Sequence, residues 1–391
     1  MRSLKKVIWQ ATWLVVIVAL WSYTAAFAGE FEFTFTSSFD GSTQQAVAYV
    51  PDGLDTTQPH PLLVVVHYMG GNRFTAQKSG YYPECDTRGW IAVCPELHGH
   101  REKGQNSMAA LEAQHDAIDA MGYMQMEYSV DSSRVYVAGR SMGGMLAQMM
   151  AAKYPDIFAA AVSGEGISDL ALWDRTTLPS LRANSRAEVG DPSPETAFDY
   201  ARRSSVNYAS NLAYVPVILW HGTNDTWVPP EQSEIVNAEV KKYNRFAPDV
   251  CWLYGAAHCP ANFDARWICD KLVYYQNVPE AGFDTPERFF NELTIVTDEA
   301  KRYFWLDITP ADPNRFARVT ASIKDGLLFI RTENVAGLAI DLDHVSKQSP
   351  IDQYDVEPDT DLQFLFVRAD VPVMKQSFKK GTVASGTVTL K

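Results

Sequence analysis

Gly139-Arg140-Ser141-Met142-Gly143-Gly144 stands between an apolar run, Val135-Tyr136-Val137-Ala138, and a helix-forming run over residues 145–153. Glycines two before and two after a serine remove the side chains that would collide where a strand turns tightly into a helix. Such a turn exposes the hydroxyl and sets it at a helix N-terminus, where the Met142 N–H faces any oxyanion that forms. The implied chemistry is nucleophilic attack on a carbonyl carbon. A serine hydroxyl is weak at its own pKa, so an orienting acid and a base must follow in the order Ser, Asp, His. Asp225, four residues beyond the end of an apolar run at His221, and His258, in Gly255-Ala256-Ala257-His258 after another, supply them. Taken singly, the Gly-x-Ser-x-Gly pattern recurs by chance, Asp225 could cap the segment after Pro229, and His258 could be an ordinary surface histidine. Their order, with each at a strand end, unites them as a triad.

A second oxyanion donor is expected from the loop after the run over residues 62–67, from the backbone N–H of Tyr68 or Met69; Gly70-Gly71 also turns the chain there. Tyr68, Tyr81, Tyr82, Trp173 and Trp227 are candidates to line a cleft, Trp227 foremost because it lies two residues from Asp225. Aromatic residues more often fill a core. His98-Gly99-His100 lacks an accompanying carboxylate motif on a helix, so it reads as a polar loop and not as a metal site. The triad chemistry calls for no metal and no cofactor.

These residues need a scaffold that brings strand ends together. From residue 45 to about 275 short apolar runs, at 46–50, 62–67, 90–95, 135–139, 158–163, 215–221 and 250–254, alternate with longer stretches. Helices are expected over 105–126 and 230–243. That alternation predicts an α/β class fold, a mostly parallel sheet with helices on both faces, whose sites lie at the carboxyl ends of strands. Past residue 290 the pattern changes to period two, with runs at 303–308, 318–324, 327–333, 337–342 and 362–369 and an Asp325-Gly326 hairpin turn. Residues 285–391 are therefore expected to form a small all-β sandwich behind a catalytic domain of residues 29–284. The acidic stretch from Asp352 to Asp361 lacks calcium-loop spacing and reads as a solvated loop.

Arg2, Lys5 and Lys6 precede an apolar run over residues 13–21 and the small-residue pattern Ala26-Phe27-Ala28, which reads as a cleaved targeting segment, residues 1–28; the alternative is an uncleaved anchor. The expected location is secreted or periplasmic. A formal charge of −13 over the whole chain, more acidic still without those cations, argues against nucleic acid or an anionic membrane surface as partner. For an exported chain, disulfides are expected, with the local pairs Cys85–Cys94 and Cys259–Cys269 favoured and Cys251 left as a buried thiol.

The elbow from Gly139 to Gly144, the stretch Ser204-Ser205-Val206-Asn207-Tyr208 leading into residues 216–229, and His258 resemble prolyl oligopeptidase-like α/β-hydrolases and related secreted bacterial esterases, including feruloyl and acetylxylan esterase-like proteins. The resemblance covers residues 45–275 and implies Ser141 as nucleophile, His258 as base and Asp225 as acid. Two features depart from it: His67-Tyr68 stands where the esterases carry His-Gly, and about 15 residues between Gly29 and the first expected strand leave no room for the propeller of the true oligopeptidases. The expected substrate is a small or polymer-linked carboxylic ester, with Trp227 and Tyr68 against it. A peptide substrate is the alternative, and so is an exported binding protein on a hydrolase scaffold whose β-rich tail binds polysaccharide.

Overall fold

The computed structural model describes residues 28–55, 57–101, 106–260, 264–276, 292–345 and 351–388. Residues 1–27 of the targeting segment and the expected 284/285 boundary lie outside them. Strands β1 (Gly29–Thr36), β2 (Thr43–Val50), β3 (His60–Val66), β4 (Ile91–Pro95), β5 (Val130–Arg140), β6 (Ala160–Gly164), β7 (Val217–Gly222) and β8 (Asp249–Leu253) form one sheet in the order β1-β2-β4-β3-β5-β6-β7-β8. From β4 onward every neighbouring pair is parallel, while β1 and β2 close one edge antiparallel. The mostly parallel α/β sheet expected from the alternation of runs is therefore present.

Both faces of the central strands are buried, which is why their sequences are continuously apolar. Val64 and Val137 join a core on one face; Leu63, Val65, Tyr136 and Ala138 join a second core on the other. β1 escaped the sequence reading because it is no continuous apolar run: Phe31, Phe33 and Phe35 alternate with exposed Glu30, Glu32 and Thr34, a period-two pattern in a region read for parallel strands. The helix expected over 105–126 is Leu111–Glu127, and that expected over 230–243 is Glu231–Lys241.

The turn after β5 is tight. Ser141 adopts φ 56°, ψ −124°, outside the allowed regions for a residue with a Cβ, and its N–H donates to the Gly164 carbonyl at 2.7 Å. The helix that follows, Met142–Lys153, is buried along its whole length. Its first turn presses directly on the sheet. A Cβ on Gly143 would lie 2.3 Å from the Val66 carbonyl oxygen and 2.9 Å from that of His67; one on Gly139 would lie 2.4 Å from the Gly143 carbonyl oxygen. These glycines are required by contact with backbone that has nowhere to move.

Beyond the first sheet lie β9 (Glu292–Thr297), β10 (Lys301–Tyr303), β11 (Leu306–Pro310), β12 (Ala317–Lys324), β13 (Leu327–Glu333), β14 (Val335–Asp341), β15 (Gln353–Pro358), β16 (Leu362–Arg368), β17 (Val371–Phe378) and β18 (Ala384–Thr387). They form two five-stranded sheets, β10-β11-β14-β16-β17 and β18-β15-β13-β12-β9, with a common core that includes Ile295, Trp305, Ile330, Phe364 and Phe366. The Asp325-Gly326 hairpin joins β12 and β13, with both turn residues at positive φ as that turn demands. Two expectations need correction. The run over 303–308 is split by a turn at Phe304, φ 54°, and most of the acidic stretch is strand β15: Tyr354, Val356 and Pro358 face inward, while Asp355 and Glu357 face the other side, where Glu357 pairs with Arg331 at 2.7 Å. The charges mask the period-two pattern beneath them.

This β unit docks on the first at the end of helix Met142–Lys153 that is remote from Ser141. Lys153 Nζ, fully buried, lies 2.7 Å from Asp298 and 2.8 Å from Glu299, and Arg202 reaches Asp298 at 2.8 Å. The Asn211 amide bridges both backbone groups of Val296, at 2.8 and 2.9 Å. Twelve helical residues span roughly 18 Å, so the contact lies well away from the serine.

Two outcomes follow from this packing. Gly143→Ala is expected to destabilise the fold by about 3 kcal/mol through overpacking, whereas Gly122→Ala, in helix Leu111–Glu127 with nothing within 4 Å of the new Cβ, gains about 0.5–1 kcal/mol; thermal or urea unfolding of both measures the contrast. Lys153→Met removes the buried ammonium that faces Asp298 and Glu299, leaving Arg202 as the salt-bridge partner of Asp298, and is expected to cost about 3 kcal/mol. An unchanged midpoint would show that the docking contact contributes nothing to stability.

Candidate active site

The register of the sheet decides what can meet. Gly139 pairs with Val66 on one side and with Ser163 on the other, Gly164 with Trp220, and Gly222 with Leu253. The carboxyl ends of β3, β5, β6, β7 and β8 therefore finish level, and the loops that leave them are neighbours. Ser141 follows β5, Asp225 follows β7 and His258 follows β8.

These three side chains are brought together. His258 Nε2 lies 3.1 Å from Ser141 Oγ, and His258 Nδ1 lies 2.6 Å from Asp225 Oδ2. Asp225 has a fully buried side chain, and its other oxygen, Oδ1, accepts the N–H groups of Trp227 at 2.8 Å and Val228 at 2.9 Å. With one oxygen held by two backbone donors, the other is fixed toward the imidazole. His221, buried at the end of β7, pins the same loop: its Nε2 lies 2.8 Å from the Val228 carbonyl oxygen and its Nδ1 2.7 Å from Ser233 Oγ. Burial holds His221 below the ordinary histidine value, and so neutral. Burial also works against a charged His258, but the Asp225 carboxylate and the Cys259 side chain outweigh it and push this imidazole well above the ordinary value.

The expected oxyanion donors are left without partners. Among the described residues the backbone N–H groups of Met142, Tyr68 and Met69 donate to no internal acceptor. The loop carrying Tyr68 is shaped by a Gly71 N–H bond to the Tyr68 carbonyl at 2.8 Å, and buried His67 anchors it by accepting the Leu97 N–H at Nε2, 3.2 Å away. Gly71 has no room for a side chain, since a Cβ would meet the same Tyr68 oxygen at 2.9 Å.

Of the aromatic residues considered for a cleft, Trp227 is the one whose ring meets the triad. Trp227 is 49% exposed and stacks on the His258 ring at 5.2 Å and 29°; its carbonyl is held by Trp173 Nε1 at 2.8 Å and Thr177 Oγ1 at 2.7 Å. Tyr68, half-buried, lies beneath the Arg140 guanidinium at 4.5 Å. Trp173 and Tyr81 are core residues, buried to 1% and 3%, and Tyr82 stacks on Tyr49 at 4.1 Å. A tryptophan whose N–H already has a partner packs inward more readily than it lines a wet cleft.

The disulfide expectation is corrected. All five cysteines are free thiols. Cys94 directs its sulfur to the Asn72 carbonyl at 3.8 Å, Cys85 feels Cys269 across the helices Tyr81–Arg88 and Ala265–Leu272 more strongly than Cys94, and Cys259 sits beside His258. Proximity in sequence was a poor guide because each expected pair spans two separate elements. Cys251 on β8 is partly exposed and not buried. His98 hydrogen-bonds to Asp116 at 2.7 Å and His100 to Glu112 at 3.1 Å, so their carboxylate partners come from helix Leu111–Glu127.

Sequence reasoning missed Glu165. It follows β6 directly, is fully buried at φ 47°, and brings Oε2 to 3.3 Å from His258 Nδ1 while accepting the Cys259 N–H at 2.5 Å. Ligand atoms of Glu165, His258 and Cys259 lie within 4.8 Å of one another, the one such group of potential metal ligands among the described residues. The signal was available: a charged residue terminates the apolar run over 158–163, at the carboxyl end of the strand beside β5.

Residues 84–278 match the prolyl oligopeptidase family. An acetylxylan esterase of Coprinopsis cinerea is 32% identical over 188 residues, 42% of this chain and 46% of that protein; feruloyl esterase B of Thermothelomyces thermophilus is 29% identical over 203 residues, 49% of this chain and 67% of that protein. The matched segment thus spans about half to two thirds of these relatives. The acylaminoacyl peptidase of Pyrococcus horikoshii superposes with a TM-score of 0.51 at 19% identity, over 65% of this chain and 43% of that one, a likeness of fold. On these grounds, and on the α/β-hydrolase sheet with its elbow, the chain carries a domain of the prolyl oligopeptidase family.

Proposed function

We propose that the protein is a serine hydrolase that cleaves carboxylic esters outside the cell, by way of an acyl-enzyme on Ser141. The observation that carries this reading is the unbroken chain from Ser141 Oγ to His258 Nε2, at 3.1 Å, and from His258 Nδ1 to Asp225 Oδ2, at 2.6 Å, on level strand ends. His258 takes the hydroxyl proton as Ser141 attacks the carbonyl, and the resulting imidazolium is balanced by the buried Asp225 carboxylate. The oxyanion lies against the N–H groups of Met142 and of Tyr68 or Met69. Each such donor is worth about 3 kcal/mol at the transition state, and because the donor is backbone, a tyrosine at position 68 serves as well as a glycine. Collapse of the intermediate passes the proton from His258 to the leaving alkoxide; water then repeats the sequence on the acyl group.

Esters are favoured over peptides by the relatives, which include acetylxylan and feruloyl esterases. Trp227 provides a flat, half-exposed face next to the histidine on which an aromatic acyl group or a sugar ring can stack. The targeting pattern at the N-terminus supports an exported enzyme. A polysaccharide-binding role for the β unit stands as a separate proposal; its docking at the far end of helix Met142–Lys153 keeps it clear of the ester site.

Ser141→Ala is expected to abolish hydrolysis of a short chromogenic ester and labelling by a fluorophosphonate while the protein unfolds at an unchanged temperature; persistent turnover would remove Ser141 from the mechanism. Because the Asp225 carboxylate keeps the His258 proton bound to higher pH, and the base form does the work, kcat/KM should rise through an acid limb lying above the ordinary histidine value of about 6.5. A pH–rate profile on the same ester locates it. Trp227→Ala should raise KM for an aryl ester by roughly ten-fold, the worth of one stacked ring, and leave a short acetyl ester little changed.

A further inference from the structure

We propose that Glu165 is a second acid for His258, a positioning residue that shares the Nδ1 proton with Asp225 and holds the imidazole in its working tautomer. The proposal rests on the assignment of His258 as the base. Three geometric observations carry it. Glu165 Oε2 lies 3.3 Å from His258 Nδ1, on the same ring atom that Asp225 Oδ2 approaches at 2.6 Å. The side chain is fully buried, with Oε1 lacking any hydrogen-bond partner, so the carboxyl group is neither a surface charge nor a satisfied structural link. The residue holds φ 47°, a conformation costly for a long side chain, and its N–H is fixed to the Trp220 carbonyl at 2.7 Å. A buried, strained and half-satisfied carboxyl group costs the fold stability, and the group it faces is the base.

The second acid comes from a different strand. Asp225 leaves β7 and Glu165 leaves β6, so the two carboxyl groups reach the ring from separate loops on adjacent strands. Cys259, next in sequence to His258, donates its N–H to Glu165 Oε2 at 2.5 Å, which ties the base's own loop to this acid. When the proton of Ser141 Oγ passes to Nε2, no other bond changes at the ring; the Nδ1–H stays in place, and the positive charge is faced by both carboxyl groups. The titratable groups around Glu165 are His258 and Cys259 from the loop after β8, and Asp225 from the loop after β7, with His221 at the end of β7 3.6 Å from Asp225 Oδ2. Burial raises the Glu165 carboxyl above its ordinary range, opposed by the Cys259 N–H and by the charge on His258. Glu165 is therefore most strongly ionised once His258 carries its proton, when the negative charge is of use.

A lone orienting acid in a serine triad is worth about 10⁴ in kcat, largely because an amide in its place favours the wrong tautomer. With Glu165 as a second acceptor, Asp225→Asn should retain at least about ten-fold more kcat/KM than the double variant Asp225→Asn, Glu165→Gln. Glu165→Gln alone should lower kcat several-fold at constant KM and move the acid limb to lower pH, since a negative charge near the imidazolium is lost. The four proteins are compared on one chromogenic ester, with thermal unfolding of each and Ser141→Ala as the blank. Glu165→Asp, which withdraws the charge by one methylene, replaces Glu165→Gln in the same cycle should the amide fail to fold. Equal activity of Asp225→Asn and the double variant, or an unmoved acid limb in Glu165→Gln, would overturn the role of Glu165 and leave the serine mechanism standing. Turnover by the Ser141→Ala blank would instead overturn the mechanism itself.

Discussion

The contact between Gly143 and the backbone of Val66 and His67 governs this molecule. The nucleophile helix approaches β3 so closely that not even a methyl group fits between them, and that approach forces Ser141 into its positive φ. One close contact thus has three effects. It sets Ser141 at the first turn of the helix, it leaves the Met142 N–H with no internal acceptor, and it presses the helix on the Val66 and His67 backbone from which the chain runs on into Tyr68 and Met69. A strained residue persists only where its surroundings over-determine it, and here they do: the helix is buried from Met142 to Lys153, and the Ser141 N–H is held by Gly164 of the next strand.

Charge is arranged around that point as economically as shape. The imidazole of His258 is nearly buried, with 6% of its side chain exposed, and so are both carboxyl groups that face it. Placing two acids beside one base in a dry site is unfavourable unless the base is charged during function, because like charges a few ångströms apart repel strongly there. Asp225 has its full set of donors and stands as the permanent anion; Glu165 has one oxygen unpartnered and a raised pKa, and stands as the conditional one. The asymmetry between them follows from their loops: the chain after Asp225 turns back to present two N–H groups, and the chain after Glu165 does not.

What was legible in the sequence was whatever repeated or stood in order. Central parallel strands announced themselves as apolar runs, and the elbow by its glycines, so Ser141, Asp225 and His258 were found without the fold. β1 was not, because its Phe31, Phe33 and Phe35 alternate with polar residues and form no apolar run, and β15 was not, because Asp355 and Glu357 occupy its outward positions. The cysteine pairing failed for a different reason. Which thiols approach one another depends on how helices Tyr81–Arg88 and Ala265–Leu272, far apart in the chain, pack together, a contact with no local signature. Glu165 lay between these cases: its place at a strand end was readable, its aim at His258 was set by the level register of β6, β7 and β8.

The two units of the chain are joined in a way that protects this arrangement. The β sandwich holds the nucleophile helix at its last residue, through Lys153 with Asp298 and Glu299, while the sheet holds it at its first turn through Gly143. A buried ion cluster gains little net stability over an apolar contact, but it has one geometry in which its charges are satisfied. A helix clamped at both ends cannot slide along its axis, and sliding is the displacement that would relax the strain at Ser141. The sandwich, though remote from the serine, thereby bears on it mechanically: the position of the nucleophile is set at one end by backbone contact with β3 and at the other by buried charge.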